Sequence, residues 1–178
     1  MNKLLLTIIV GFVGFYSNAQ EFKCIKLKEV VWLADSTTTS QDEYLRAKLF
    51  FANEYRSAKD VISFDDQATH TIIGRGWIDL KSKNINHKYA KLWHTLKIEC
   101  KDGRYRYELS DLKIEIAFSG FYGGTQTSFS DYTKVIGDID KLPEGKEKDE
   151  RIRIFLKPIN DLISKLNSEM NNSKKEDW

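Results

Sequence analysis

From Leu96 to Leu109 apolar and polar side chains alternate on either side of Asp102-Gly103, a two-residue hairpin signal. Counting outward sets Lys101 against Arg104, Cys100 against Tyr105, Glu99 against Arg106, Ile98 against Tyr107, Lys97 against Glu108 and Leu96 against Leu109. The apolar pairs point one way. The others include two opposite-charge pairs, Glu99–Arg106 and Lys97–Glu108, and point the other way. A one-residue slip would turn every apolar group to the wrong face, so the register is strongly specified. Past Leu109 the apolar positions change from odd to even numbers: Leu112, Ile114, Ile116, Phe118. One extra residue near Ser110-Asp111 explains the change of phase and predicts a bulge there. That bulge sets His94 on the inner face, opposite Leu112.

The same pattern predicts strands over Glu29–Ala34, Asp60–Asp66, Thr69–Leu80, Lys91–Lys101 and Arg104–Phe118. Gly74 and Gly76 inside one of them predict a bulge, a bend or a close backbone approach. Ser40-Gln41-Asp42-Glu43 matches a capping box, and a helix follows to about Tyr55 with Leu45, Leu49 and Ala52 at helical spacing. Ser82–Lys88 reads as a polar loop. Gly120–Tyr132 is Gly-rich, aromatic and too irregular for a strand, and Leu142–Glu150 reads as a charged loop. Ile152, Phe155, Ile159, Leu162, Ile163, Leu166 and Met170 predict a C-terminal helix, with Pro158 marking either a kink or a first turn. The order strand, helix, four strands, helix gives an α+β fold. It has two layers: an antiparallel sheet of about five strands with two helices on one face.

The N-terminus changes the picture. Lys3 precedes an apolar run, Leu4–Phe15, and Ser17 and Ala19 put small residues at the −3 and −1 positions of a cleavage site. This pattern is that of a secretory signal peptide over residues 1–19. It predicts an exported protein, periplasmic or secreted, with no membrane span after cleavage. The mature chain from Gln20 then holds a single domain over 20–172, and 173–178 form a frayed tail. The formal net charge is +2 for the whole chain. Lys3 is the only charge in the signal, which leaves +1, too little for a global field toward nucleic acid. Export points the same way, so no nucleic-acid partner is expected.

In an oxidising compartment Cys24 and Cys100 could form one bridge, or stay two separate thiols with Cys100 in the core. The histidines, His70, His87 and His94, are scattered without metal-ligand spacing, and no cofactor motif is present. Asp65-Asp66 reads as a turn. By alternation the outer sheet face carries Arg75, Trp77, Trp93, Lys97, Glu99, Arg106 and Glu108. That face is either a solvated surface with its tryptophans covered by the 120–132 segment, or a binding surface.

The residues Gly74-Arg75-Gly76, Lys101-Asp102-Gly103-Arg104-Tyr105-Arg106-Tyr107 and Asp42-Glu43-Tyr44-Leu45-Arg46-Ala47 carry a resemblance. Over about residues 28–118 the chain resembles a family of secreted bacterial domains of unknown function. That resemblance implies a fold like the TATA-box-binding protein and residence in the envelope. It carries no activity and no functional residue, and a shared fold does not import DNA binding.

Three functions remain as expectations. The first is a non-enzymatic module that binds an envelope protein or small ligand through Arg75, Trp77, Trp93, Arg106, Phe121 and Tyr122. The second is a carrier of a hydrophobic ligand, in a helix-grip-like cavity lined by Tyr105, Tyr107, Ile114, Phe118, Phe155 and Ile159. The third, an enzyme using His94 and Asp111, is set aside.

Overall fold

A computed structural model describes residues 27–55, 57–81, 89–119 and 124–172. Residues 1–26, which hold the expected signal segment and Cys24, the 82–88 segment, Phe121, Tyr122 and residues 173–178 lie outside the described residues. The elements run β1 (Lys28–Trp32), α1 (Ser40–Glu54), α2 (Ala58–Val61), β2 (Ile62–Asp66), β3 (Thr71–Asp79), β4 (Tyr89–Lys101) and β5 (Arg104–Ser119). Next come β6 (Thr125–Asp131), α3 (Tyr132–Asp140), α4 (Lys146–Arg151), a π-helical turn (Ile152–Leu156) and α5 (Lys157–Met170).

The sheet is antiparallel, in the order β1-β5-β4-β3-β2, with β6 also on β5. β1 pairs with Arg104–Glu108 and β6 with Lys113–Ser119, so two short strands share one flank of the long β5. Six strands therefore occupy five positions. The hairpin register holds at all six pairs counted from the turn. Gly103 sits at φ +67°, where a Cβ would meet the Ser36 carbonyl at 3.0 Å. Only glycine takes that conformation freely. The bulge is where the phase change put it. Thr95 pairs with Ser110 and Trp93 with Lys113, so Asp111 and Leu112 oppose the single residue His94, and Asp111 adopts φ 53°.

The core lies on one face only. Phe51, Tyr105, Tyr107, Ile159 and Leu166 are fully buried in a single cluster that joins α1 and α5 to the sheet. Fully burying side chains of this size stabilises by roughly 1.5–3 kcal/mol each. Gly74 and Gly76 make the close approach possible: a Cβ there would lie 2.3 Å from Phe51 Cε1 and 2.5 Å from Tyr55 Cε1. The aromatic edge of α1 rests in that track. α1 is thereby rotated so that Tyr44, Ala47, Phe50 and Phe51 are buried, while Leu45 and Leu49 are half-exposed, contrary to the spacing read from sequence.

The other corrections have local causes. The capping box is one residue earlier than expected. Thr39 is the N-cap, its hydroxyl accepting from the Asp42 amide at 3.2 Å while the Asp42 carboxylate accepts from the Thr39 amide at 3.4 Å. The Ser40 amide is instead taken by Asp102 of the hairpin turn at 2.7 Å. The segment read as irregular contains β6, and the charged segment becomes helical at Lys146. α3 has no counterpart in the sequence reading. In the C-terminal helix the Lys157 amide bonds the Ile152 carbonyl five residues back, and Pro158 falls in the first turn of α5. That turn rotates the apolar stripe, so Ile154 and Leu156 are buried there in preference to Ile152 and Phe155. Glu99 and Arg106 pair as expected. Lys97 and Glu108 stand opposite each other as counted but close no ion pair: Lys97 bonds Glu99 at 3.2 Å, and Glu108 takes Lys28 of β1 at 2.6 Å.

Candidate functional site

The strand period of two that buries Leu92, His94 and Leu96 turns Lys91, Trp93 and Thr95 to the opposite face. Helices α1 and α5 and the Tyr132 side chain of α3 all bury into the inner cluster. The outer face keeps its large apolar groups in contact with solvent, from Trp77 at 43% to Trp32 at 67% exposed. An exposed apolar patch of this kind is the usual mark of an interaction surface.

Its centre is built across three strands, β3, β4 and β5. Trp77 of β3 and Trp93 of β4 are direct cross-strand partners, with ring centroids 5.0 Å apart and planes tilted 52°. The Trp93 indole N–H donates to Glu115 Oε2 of β5 at 2.5 Å, and the Tyr89 hydroxyl donates to Glu115 Oε1 at 2.9 Å. Glu115 is 8% exposed, yet its carboxyl is held below the usual carboxylate range. The indole N–H is the largest cause, with Tyr89 and Lys91 adding to it against the burial. Lys91 Nζ stands 4.6 Å from the Trp77 ring centre and 4.8 Å from that of Tyr89, and the Arg75 guanidinium is 6.0 Å from that of Trp93. Such cation–aromatic contacts fix the cations over the rings.

Beside this cluster lies an open hollow of about 480 Å3, lined by Arg75, Trp93, Lys113, Glu115, Phe129, Ser130 and Asp131. Lys113 is in register with Asp131. The Asp131 carboxylate caps α3, accepting from the Thr133 hydroxyl and amide and the Lys134 amide, and these bonds lower its pKa, the Thr133 hydroxyl most.

The fold brings Arg75, Trp77 and Trp93 together. Arg106 is elsewhere: it pairs with Glu99 of β4, six residues and about 20 Å along the strand from Trp93. At that end Arg104 stacks on Trp32 at 4.6 Å. Alternation carried through the bulge would have found Lys113 and Glu115, and a strand reading begun two residues earlier would have found Tyr89. Phe129 was hidden in a segment without an apolar face. The 120–132 segment contributes β6 as an edge strand, with Phe129 exposed.

The remaining candidates are placed as follows. His94 is buried, its Nε2 2.6 Å from the Tyr55 hydroxyl, and burial lowers its pKa to about 4. Asp111 is exposed and accepts from the Thr95 hydroxyl at 3.0 Å, so the fold holds this pair on opposite faces. Asp65 accepts from the Tyr44 hydroxyl and from Lys48 at 2.6 Å, and Asp66 closes the turn to β3. Cys100 is a buried thiol, raised to about 12 by burial first and by Glu43 next; the bridge to Cys24 falls outside the described residues. Of the cavity-lining set, Tyr105, Tyr107, Ile114 and Ile159 are packed in the core. Tyr105 donates to Asn167 Oδ1 at 2.5 Å, and Phe118 is exposed at the sheet end. Among the described residues no group of three or more His, Cys, Asp or Glu could hold a metal ion. No described helix is long and apolar enough to cross a membrane.

An antiparallel sheet with its helices on one face defines the class, an α+β domain with a TBP-like fold. Residues 31–115 match the model of a domain of unknown function (DUF4468) with TBP-like fold, the kind of family that the sequence resemblance indicated. A TBP-like protein from Parabacteroides distasonis ATCC 8503 has a similar structure, with a TM-score of 0.60 at 13% identity over 82% of this chain and 91% of that one. A DUF4468 family protein from Bacteroides ovatus ATCC 8483 is similar with a TM-score of 0.51 at 16% identity over 80% of this chain and 84% of that one. No curated protein matches the chain.

Proposed function

We propose that this protein is an exported, non-enzymatic binding module, periplasmic or secreted, that recognises an envelope protein or small ligand with its outer sheet face. The carrying observation is the Trp77–Trp93 pair. Two large indoles stand on the face opposite the core, and one is locked in place by a largely buried carboxylate. Rigid aromatics beside Arg75 are the residue types that concentrate binding energy. The apolar run and small residues at the N-terminus support export.

The test is capture of partners from the native envelope by the mature protein and by the double variant Trp77→Ala, Trp93→Ala. Both indoles lie outside the core cluster, so the variant should stay folded, with a melting temperature lowered by several degrees through loss of the Trp93–Glu115 bond. Loss of the captured species with an intact fold supports the reading. Retention of the same species overturns it.

A further inference from the structure

We propose that the hollow between Trp93 and Phe129 is a binding site for an acidic sugar ring, a pyranose that carries a carboxylate. This names the ligand of the outer face and rests on the reading of that face as a recognition surface.

The walls come first. Trp93 projects from β4 and Phe129 from β6, on either side of β5. Trp93 is in register with Lys113 and Phe129 with Glu115, so the two stand diagonally, about 12 Å apart at the backbone, and the Trp93 indole narrows that gap by leaning over β5 to reach Glu115. A single ring fits between two such walls. Its C–H faces would lie on the indole on one side and the phenyl on the other. Trp93 is pre-set for this, because its N–H is bound to Glu115 and its ring leans on Trp77. The hollow, at about 480 Å3, is in the range of small-ligand sites.

The polar groups select among ring ligands. Both signs line the hollow, but they are not equally engaged. Glu115 already accepts from Trp93 and Tyr89, and Asp131 from the first turn of α3. Lys113 faces Asp131 and helps to lower its pKa, whereas Arg75, held over the Trp93 ring, keeps its N–H groups out of any ion pair among the described residues and can grip a ligand carboxylate with two parallel N–H bonds. Glu115 and Asp131 keep unused lone pairs, which accept from hydroxyl groups. An aromatic carboxylate lacks those hydroxyls and leaves the acceptors unanswered. A nucleic-acid backbone brings repeated phosphates against the two carboxylates. A neutral sugar leaves Arg75 unanswered.

The experiment is saturation-transfer NMR on the mature protein with the methyl glycosides of glucuronate and glucose, and with acetate as a non-sugar anion. The uronate is expected to receive transfer through its ring protons and to shift the Trp93 indole resonance. Arg75→Ala and Phe129→Ala should each weaken it at least tenfold, with unchanged melting. Equal binding of glucose, equal shifts with acetate, or no transfer to the uronate overturns the acidic-sugar assignment. If transfer is absent while partner capture is still lost in the double tryptophan variant, the sugar assignment fails and the binding-module reading stands. If capture also persists in that variant, both fail.

Discussion

The indole N–H of Trp93 donates to Glu115 Oε2 at 2.5 Å, joining β4 to β5 on the face away from the core. The carboxylate serves two aromatics, Trp93 and Tyr89, so one residue fixes the pose of both. Replacing Glu115 with Ala should free both rings. Near-ultraviolet circular dichroism should lose tryptophan signal, and urea unfolding should show a loss of about 1.5 kcal/mol, the low end for a charged hydrogen bond. An unchanged spectrum would show that Trp93 is held by its neighbours alone.

Two buried groups give the fold opposing pH dependences. Glu43 is fully buried against Arg46 at 3.0 Å with Oε2 unpaired, and burial raises its pKa to about 7. The native state then holds this proton more tightly than the unfolded chain. Stability from Glu43 is highest below about pH 4.5 and falls as pH rises to about 7. His94, lowered to about 4 by burial, behaves in reverse: stability rises with pH from about 4 to about 6.5. Each change is about 3 kcal/mol in size. The parent should be nearly flat across pH 4.5–6.5. Glu43→Gln should unmask a rise with pH and His94→Gln a fall, read by urea unfolding at pH 5 and pH 6.5.

Gly74→Ala places a methyl group 2.3 Å from Phe51 Cε1, and that ring is fully buried. Overpacking of this kind costs roughly 1–3 kcal/mol. The double variant with Phe51→Leu should recover part of the loss, giving a favourable coupling in a double-mutant cycle. Strict additivity of the two changes would place the strain elsewhere.

The buried Cys100 thiol, raised to about 12, should resist alkylation at pH 8. In a Cys24→Ser variant, where no bridge can form, mass spectrometry should find no iodoacetamide adduct until denaturant unfolds the chain. Rapid native labelling would contradict the burial.

The parts of the fold legible in sequence are those set by neighbours in the chain. The Asp102-Gly103 turn fixes six cross-strand pairs, and the change of phase at Ser110-Asp111 locates the bulge, because strand alternation is local. The N-cap is not local. Asp102 withdraws the Ser40 amide from a distance of 62 residues and moves the box to Thr39. The buried face of α1 is likewise chosen by the glycine track on β3, which favours Phe51 over the equally apolar Leu49. β6 escaped notice because Thr, Gln and Ser fill most of it and all its residues are exposed. Of the candidate site, Arg75, Trp77 and Trp93 were legible through alternation on β3 and β4. Glu115 and Phe129 required the bulge phase and the edge strand.

β5 is guarded on one flank by two separate pieces of chain, one from each side of it in sequence. β1 covers Arg104–Glu108, and β6 covers Lys113–Ser119. These pieces have different anchors. β1 contributes Val31 to the core and continues through the Leu109 amide bond to Leu27 at 2.7 Å, whereas β6 is exposed along its whole length. The long strand should therefore open in two independent units. Amide hydrogen exchange should show a step in protection at the bulge, with β6 and its half of the flank exchanging by local opening while the β1 half waits for global unfolding.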